Sequence, residues 1–414
     1  MSRVFRAIVV FVLVAVAFPI LPARAAPEPA FGDCGSDGRH SSGAIYRICM
    51  PVASRWNGSL VVYAHGYVAY NKPVAIPEDQ LVLPDGTSVP EIVNGLGFAF
   101  ATTSYRTNGL AVAGGVQDVL DVVDIFTRIH GPAKKTYIVG PSEGGLVTTL
   151  AVERFPQVFD GGLALCGPIG DFRKQINYVG DFRVIFDYFF PGVIPGSPVS
   201  IPQQVIDQWN PVYVPAVVSA LAANPRATQQ LLRVTGAPTD SGSWDSVGKT
   251  SVGLLWYNTL GTNDALQKLG GQPFDNWRRL YWGADNPFRL NLKVKRFKAD
   301  GAALQAIEGI YQTSGRLSVP LVTLHTTGDP IVPYWHAPLY RLKAISSGSF
   351  LRYANIPVFR YGHCNFKAWE VLVGFALLYL KVNAQELSGV EAVLPDAGAR
   401  DAFYQFARQN GALR

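Results

Sequence analysis

Lys135–Pro156 reads KTYIVGPSEGGLVTTLAVERFP. It opens with a short apolar run, Thr136–Val139, in which Tyr137, Ile138 and Val139 favour a strand. It closes with Leu146–Phe155, which suits a helix, and Pro156 stops that helix because proline lacks the N–H needed to continue it. Between the two lies Gly140-Pro141-Ser142-Glu143-Gly144, a G-x-S-x-G. A serine hydroxyl is a weak nucleophile until a neighbour takes its proton. A sharp strand-to-helix turn holds the hydroxyl clear of the backbone. Ser142 then adopts a strained conformation, and Gly140 and Gly144, with no Cβ, let other backbone come close. The helix that follows points its free N–H groups and positive dipole end at any developing oxyanion.

Working outward, strands are predicted over Ala44–Met50, Ser59–Ala64, Phe98–Thr103, Phe159–Cys166, Pro320–Thr326 and Leu351–Arg360. Ile92–Gly95 belongs to a helix. Val116–His130, with apolar residues at Val119, Leu120, Val123, Ile125, Phe126 and Ile129, has the spacing of an amphipathic one. Phe366–Lys381 and Ala399–Asn410 read as later helices, and the apolar run Val371–Leu380 as a buried segment. Strands alternating with helices imply a mostly parallel central sheet covered on both faces. The stretch 167–317 breaks the alternation. It holds Trp209, Trp244, Trp256, Trp277 and Trp282, five of the eight tryptophans, with Phe186, Tyr188, Phe189 and Phe190. An insertion of this size between two sheet strands reads as a mainly helical cap over the carboxyl edge of the sheet. Its aromatics build its own small core or line a pocket for an acyl or aryl group.

At 414 residues, 48% hydrophobic and 16% charged, the chain has ample apolar material for a large core and is of globular composition. Arg3 and Arg6, the apolar run Ala7–Ile20 and Ala23-Arg24-Ala25 together read as a signal peptide over 1–25 with a cleavage site. The run is short for a membrane span of about 20 residues. The expected location is therefore secreted or periplasmic. Without those residues the net charge falls from +6 to +3. No basic stripe interleaved with aromatics stands out, which argues against a nucleic-acid partner. In an exported chain, four cysteines read as disulfides. Three pairings exist. Cys34 with Cys49 and Cys166 with Cys364 is favoured, because the first two are close in sequence and precede the core. The loop between Cys34 and Cys49 is worth about 3 kcal/mol in the chain-entropy account.

The strand leading into His65-Gly66, the turn Gly140–Gly145, the block Thr327-Gly328-Asp329-Pro330-Ile331-Val332-Pro333 and Gly362-His363, in that order, resemble the α/β-hydrolase superfamily. The resemblance covers 26–166 and 318–385. It implies two core parts, 26–166 and 318–414, around the insertion 167–317. It also implies a triad in the order Ser142, Asp329, His363. Ser142 attacks a carbonyl, His363 takes and returns its proton, and Asp329 fixes the imidazole tautomer. Asp329 follows a strand at a turn begun by Gly328. Among six histidines, only His363 lies in a glycine-flanked loop after a last strand. His40 sits in a Gly/Ser-rich segment, His65 precedes the turn, His130 ends a helix, His325 lies in a strand, and His336 follows Asp329 by too little chain. By the same resemblance, the backbone N–H groups of Tyr67 and Glu143 form the oxyanion hole, with the Tyr67 hydroxyl as a further donor. Losing one such donor typically costs about 10²–10³ in rate. Glu143 is unusual beside a nucleophile, and Arg106 or the loop around Tyr105 is its expected partner.

There is no H-E-x-x-H, no paired C-x-x-C and no G-x-G-x-x-G after a strand, so no metal site is expected. The triad is self-contained, so no cofactor is expected. The expected function is a secreted serine hydrolase that cleaves a small-molecule or polymeric ester with an apolar or aromatic part. A serine rather than an aspartate at position 142 argues against dehalogenase-like and epoxide-hydrolase-like relatives. A serine peptidase is the second reading, because some cap-bearing peptidases resemble this core and share a loop like Tyr105-Arg106. A non-catalytic binding protein on the same fold is the third.

Overall fold

One eight-stranded sheet runs through the molecule, a computed structural model that describes residues 34–83, 86–383, 394 and 397–409. The strands are β1 (Gly38–Arg39), β2 (Ile45–Cys49), β3 (Leu60–Tyr63), β4 (Ala99–Thr103), β5 (Thr136–Pro141), β6 (Gly161–Leu165), β7 (Leu321–Gly328) and β8 (Tyr353–Tyr361). Their spatial order is β1-β2-β4-β3-β5-β6-β7-β8. β1, β2 and β4 pair antiparallel, and every pair from β4 to β8 is parallel. The order reverses around β3 and β5, which opens a crevice beyond the carboxyl ends of these strands, where ligands of such sheets bind. This is the mostly parallel sheet with helices on both faces that the sequence predicts. The signal peptide expected at 1–25 lies outside the described residues.

Each central strand is apolar on both faces because helices cover both. Leu60, Val62, Ile138 and Ala164 pack with Val119, Val122 and Phe126 of α2 (Val112–His130) and with Leu146, Val147 and Leu150 of α3 (Glu143–Arg154). α1 (Val89–Gly95) precedes β4. On the opposite face Val61, Tyr137, Val139, Leu163 and Leu324 meet Phe375, Leu377 and Leu378 from the helix Ala368–Val382. Full burial of such side chains stabilises by roughly 1.5–3 kcal/mol each.

α2 starts four residues earlier than its apolar spacing suggests, and Ile129 on its expected buried face is exposed. The extra turn contains Gly114 and Gly115. A Cβ on Gly115 would stand 3.2 Å from the Tyr105 ring, a tight contact that the ring would have to yield to. α3 begins directly at Glu143 rather than at Leu146.

Between β6 and β7 the chain is helical: α4 (Phe172–Phe189), α5 (Gln203–Asp207), α6 (Val214–Ala223), α7 (Pro225–Thr235), α8 (Trp244–Lys268), α9 (Pro287–Lys293) and α10 (Gly301–Ala306). α11 (His336–Ser346) links β7 to β8, and α12 (Ala368–Val382) follows β8. The insertion has its own core around Phe182, Phe186, Val205, Trp209, Leu231 and Leu254. Of its five tryptophans only Trp209 is buried. Trp256 packs edge-on against Tyr67 and Tyr257, and Trp244, Trp277 and Trp282 face solvent. Arg183 of α4 is fully buried. Its guanidinium bonds Asp187 at 2.8 Å, Asn258 of α8 at 3.2 Å and the Ile194 carbonyl at 3.1 Å.

Candidate active site

Ser142 occupies the turn between β5 and α3 with φ 55° and ψ −120°, in the strained left-handed region. Its amide donates to the Leu165 carbonyl at 2.8 Å, which fixes the turn to β6. The flanking glycines are obligatory. A Cβ on Gly144 would stand 1.9 Å from the Ala64 carbonyl oxygen, and one on Gly140 would stand 2.4 Å from the Gly144 carbonyl oxygen.

Three distant side chains meet here. His363 Nε2 lies 2.8 Å from Ser142 Oγ, and His363 Nδ1 lies 2.8 Å from Asp329 Oδ2. Asp329 is fully buried, and its other oxygen accepts the amides of Ile331 (2.9 Å) and Val332 (3.0 Å). Those amides and the imidazole are donors, so the carboxylate is held in one orientation. The histidine loop is braced by a Thr326 hydroxyl donating to the Gly362 carbonyl at 2.6 Å and by the Cys166–Cys364 disulfide, while Cys34 pairs with Cys49. His325 was not singled out by sequence. It is buried beside Asp329, with Nε2 3.6 Å from Oδ2 and 2.7 Å from the Val332 carbonyl. Burial lowers its pKa, so it stands as a neutral N–H donor.

The Tyr67 and Glu143 amides have no acceptor among the described residues. Gln80 sets the Tyr67 loop: its Oε1 accepts the Gly66 amide at 2.7 Å, and its Nε2 donates to the Tyr67 carbonyl at 3.3 Å. The expected role for the Tyr67 hydroxyl does not hold, because it donates to the Leu260 carbonyl of α8 at 3.1 Å. Arg106 is not the partner of Glu143. Its guanidinium is drawn to Asp118, at 2.7 Å, whose carboxylate is buried. Glu143 Oε1 instead accepts the Ala111 amide at 2.9 Å, in the loop that follows Arg106. Burial pushes the Glu143 carboxyl up to about 8.

A cavity of about 150 Å³ opens at Ser142 and runs between α4 and α8. Phe172, Ile176, Val179, Leu266, Phe274 and Ile331 line it, and Glu143 is the only carboxylic acid among its described lining residues. A cavity of that volume has room for a guest about the size of benzene. Tyr257, from α8, lines its mouth. Burial raises the phenol's pKa, and the nearby Ser142 hydroxyl opposes that rise. Nothing in the local sequence marks Tyr257, because it reaches the site only through the insertion's packing.

The other histidines have separate surroundings. His336 is buried, accepts the Gly170 amide at Nδ1 (2.9 Å) and meets Gln175 at Nε2 (2.9 Å). His65 stacks on Tyr105 at 3.9 Å. His130 is exposed at the end of α2. His40, Asp118 and Asp121 bring potential ligand atoms within 4.8 Å of one another. Arg106 already supplies a cation to both carboxylates, at 2.7 and 3.6 Å, and a metal ion there would meet its charge.

No family model matches the chain, and no curated protein does. Solved structures are similar at low identity. Candida antarctica lipase A in its closed state shares 14% identity, with 84% of this chain and 76% of that chain covered and a TM-score of 0.44. An esterase from Aspergillus oryzae shares 14%, with 78% and 71% covered and a TM-score of 0.43. An acylaminoacyl peptidase from Pyrococcus horikoshii shares 12%, with 80% and 37% covered and a TM-score of 0.41. The chain thus spans just over a third of the length of that peptidase.

Proposed function

We propose that this protein is an exported serine hydrolase that cleaves carboxylic esters of uncharged acids through an acyl-enzyme. The observation that carries the reading is the pair of 2.8 Å contacts from one imidazole, to Ser142 Oγ on one side and to the buried Asp329 carboxylate on the other. As Ser142 Oγ attacks the ester carbonyl carbon, its proton passes to His363 Nε2, and Asp329 stabilises the imidazolium. The carbonyl oxygen becomes an oxyanion facing the Tyr67 and Glu143 amides, which are preorganised donors. Collapse breaks the bond to the alcohol oxygen, and His363 returns the proton to that leaving group. Water, deprotonated by His363, then attacks the acyl carbon, and the carboxylic acid leaves as Ser142 regains its proton.

The apolar cavity supports an uncharged acyl group, since a charged one would lose its hydration there without a partner. Residues 167–317 are proposed as the cap that roofs this cavity. Two disulfides fit an oxidising compartment, in line with a signal peptide at 1–25.

A fluorophosphonate probe on the wild type and on Ser142→Ala tests the chemistry. Labelling of the wild type alone is expected. A benzoyl or short-chain acyl ester set against an aminoacyl anilide tests the substrate, with faster ester turnover expected. An unlabelled wild type sinks the hydrolase reading, and faster anilide turnover replaces ester with amide.

A further inference from the structure

The exposed surface of the insertion carries a concentration of large apolar side chains. Within 277–292, Trp277 is 57% exposed, Leu280 65%, Trp282 60%, Phe288 75% and Leu292 84%. Phe288 and Leu292 stand one turn apart on α9, so they share one side of it, away from the buried Leu290. Isolated exposed apolar residues are ordinary, but five in so short a stretch, on the order of several hundred Å² of apolar surface, mark a docking surface.

The segment is held rigidly. Arg296 donates to the Asn276 carbonyl at 3.0 Å and to Asn291 Oδ1 at 3.0 Å, and Asn291 Nδ2 donates to the Tyr281 carbonyl at 2.7 Å. Tyr281 and Arg279 both bond Asp181 of α4, the neighbour of Gly180 in the cavity wall. Phe274 lines the cavity, and Trp277 begins the exposed surface three residues later. The surface is therefore the outer side of the cavity's own wall.

Charge identifies the occupant. Arg278, Arg289, Lys293, Lys295 and Lys298 are exposed in the same segment, and none has an ion-pair partner among the described residues. The same stretch interleaves these cations with the exposed aromatics. Leucine offers no π face for stacking on a base, so Leu280 and Leu292 favour a hydrocarbon over a nucleic acid. We propose that Trp277, Leu280, Trp282, Phe288 and Leu292 dock the protein on a lipid–water interface bearing anionic headgroups. Rings and aliphatic chains enter the headgroup boundary while the lysines and arginines meet the lipid charge.

The test uses Ser142→Ala, so that the vesicles stay intact and the outcome does not depend on the hydrolase reading. Expected are co-sedimentation with phosphatidylglycerol vesicles, weaker binding to phosphatidylcholine, weakening in high salt and a blue shift of tryptophan emission. Adding Trp277→Ser, Phe288→Ser and Leu292→Ser is expected to lower partitioning roughly tenfold or more. In the Ser142 background the same three changes should leave turnover of a soluble ester unaltered. Failure to sediment with anionic vesicles at low salt, or unaltered sedimentation of the substituted protein, overturns the proposal. So does binding to an oligonucleotide in place of vesicles, or a dimer that the substitutions dissociate.

Discussion

Cys364 Sγ lies 3.5 Å from His363 Nε2, and its bond to Cys166 ties the histidine loop to the end of β6. Cys166 and Cys364 both sit in the left-handed region, φ 46° and 50°, which residues other than glycine rarely adopt. Without the link, the loop keeps the Thr326 and Gly328 contacts but loses its fixed distance to Ser142. A displacement near 1 Å costs up to about 10² in rate. Cys166→Ser/Cys364→Ser is expected to lower kcat by about one to two orders of magnitude, with KM little altered. Steady-state kinetics decide it, and an unaltered kcat in the folded variant assigns the bridge to stability alone.

Tyr257 brings a phenol from the insertion to Ser142. Burial keeps it protonated, so it is a hydrogen-bond partner at every working pH. Tyr257→Phe keeps the ring against Trp256 and Tyr67 and removes only that hydroxyl. A net neutral hydrogen bond is worth about 0.5–1.5 kcal/mol, so kcat/KM should fall roughly two- to tenfold. An unaltered kcat/KM would leave the phenol as cavity lining.

Much of the sheet and of the candidate site was legible because each depends on local rules. The strand, the glycine-flanked Ser142 and the following helix are contiguous, and Gly140 and Gly144 have a steric cause that sequence alone announces. Asp329 and His363 follow strands in a recognisable order. What stayed hidden depends on contacts between distant segments. Gln80, His325 and Tyr257 sit at the site with no local pattern to mark them. Glu143 was expected to meet Arg106 or the loop around Tyr105; the guanidinium pairs instead with the buried Asp118, and Glu143 accepts the Ala111 amide further along that loop. The tryptophans of the insertion suggested a core, yet three of five are exposed, because apolar composition does not encode which face a loop presents.

Arg183 is the largest fully buried side chain, and it connects α4 to α8 through Asp187 and Asn258. Removing one partner of a buried ion pair strands the other, which typically costs 3–5 kcal/mol, whereas replacing both by apolar groups is often neutral. Asp187 retains some exposure, which puts the expected loss for Arg183→Ala near the lower figure, about 3 kcal/mol. Arg183→Met/Asp187→Leu should recover much of it. Denaturant unfolding followed by tryptophan fluorescence measures both, and equal losses in the single and double variants would refute the pairwise account.

Glu143 makes stability depend on pH in an uncommon direction. Burial, the largest influence, raises its carboxyl from about 4.5 to about 8, so the folded state holds a proton that the unfolded chain gives up. Between those values the native state binds more protons than the unfolded state, and stability falls as pH rises. The full effect is on the order of a few kcal/mol, complete above the folded pKa and absent below the unfolded one. Glu143→Gln keeps an acceptor for the Ala111 amide and cannot ionise. It should match the wild type in unfolding free energy near pH 4 and exceed it near pH 9. A difference between the two proteins that does not change with pH would mean that folding leaves the Glu143 pKa unchanged.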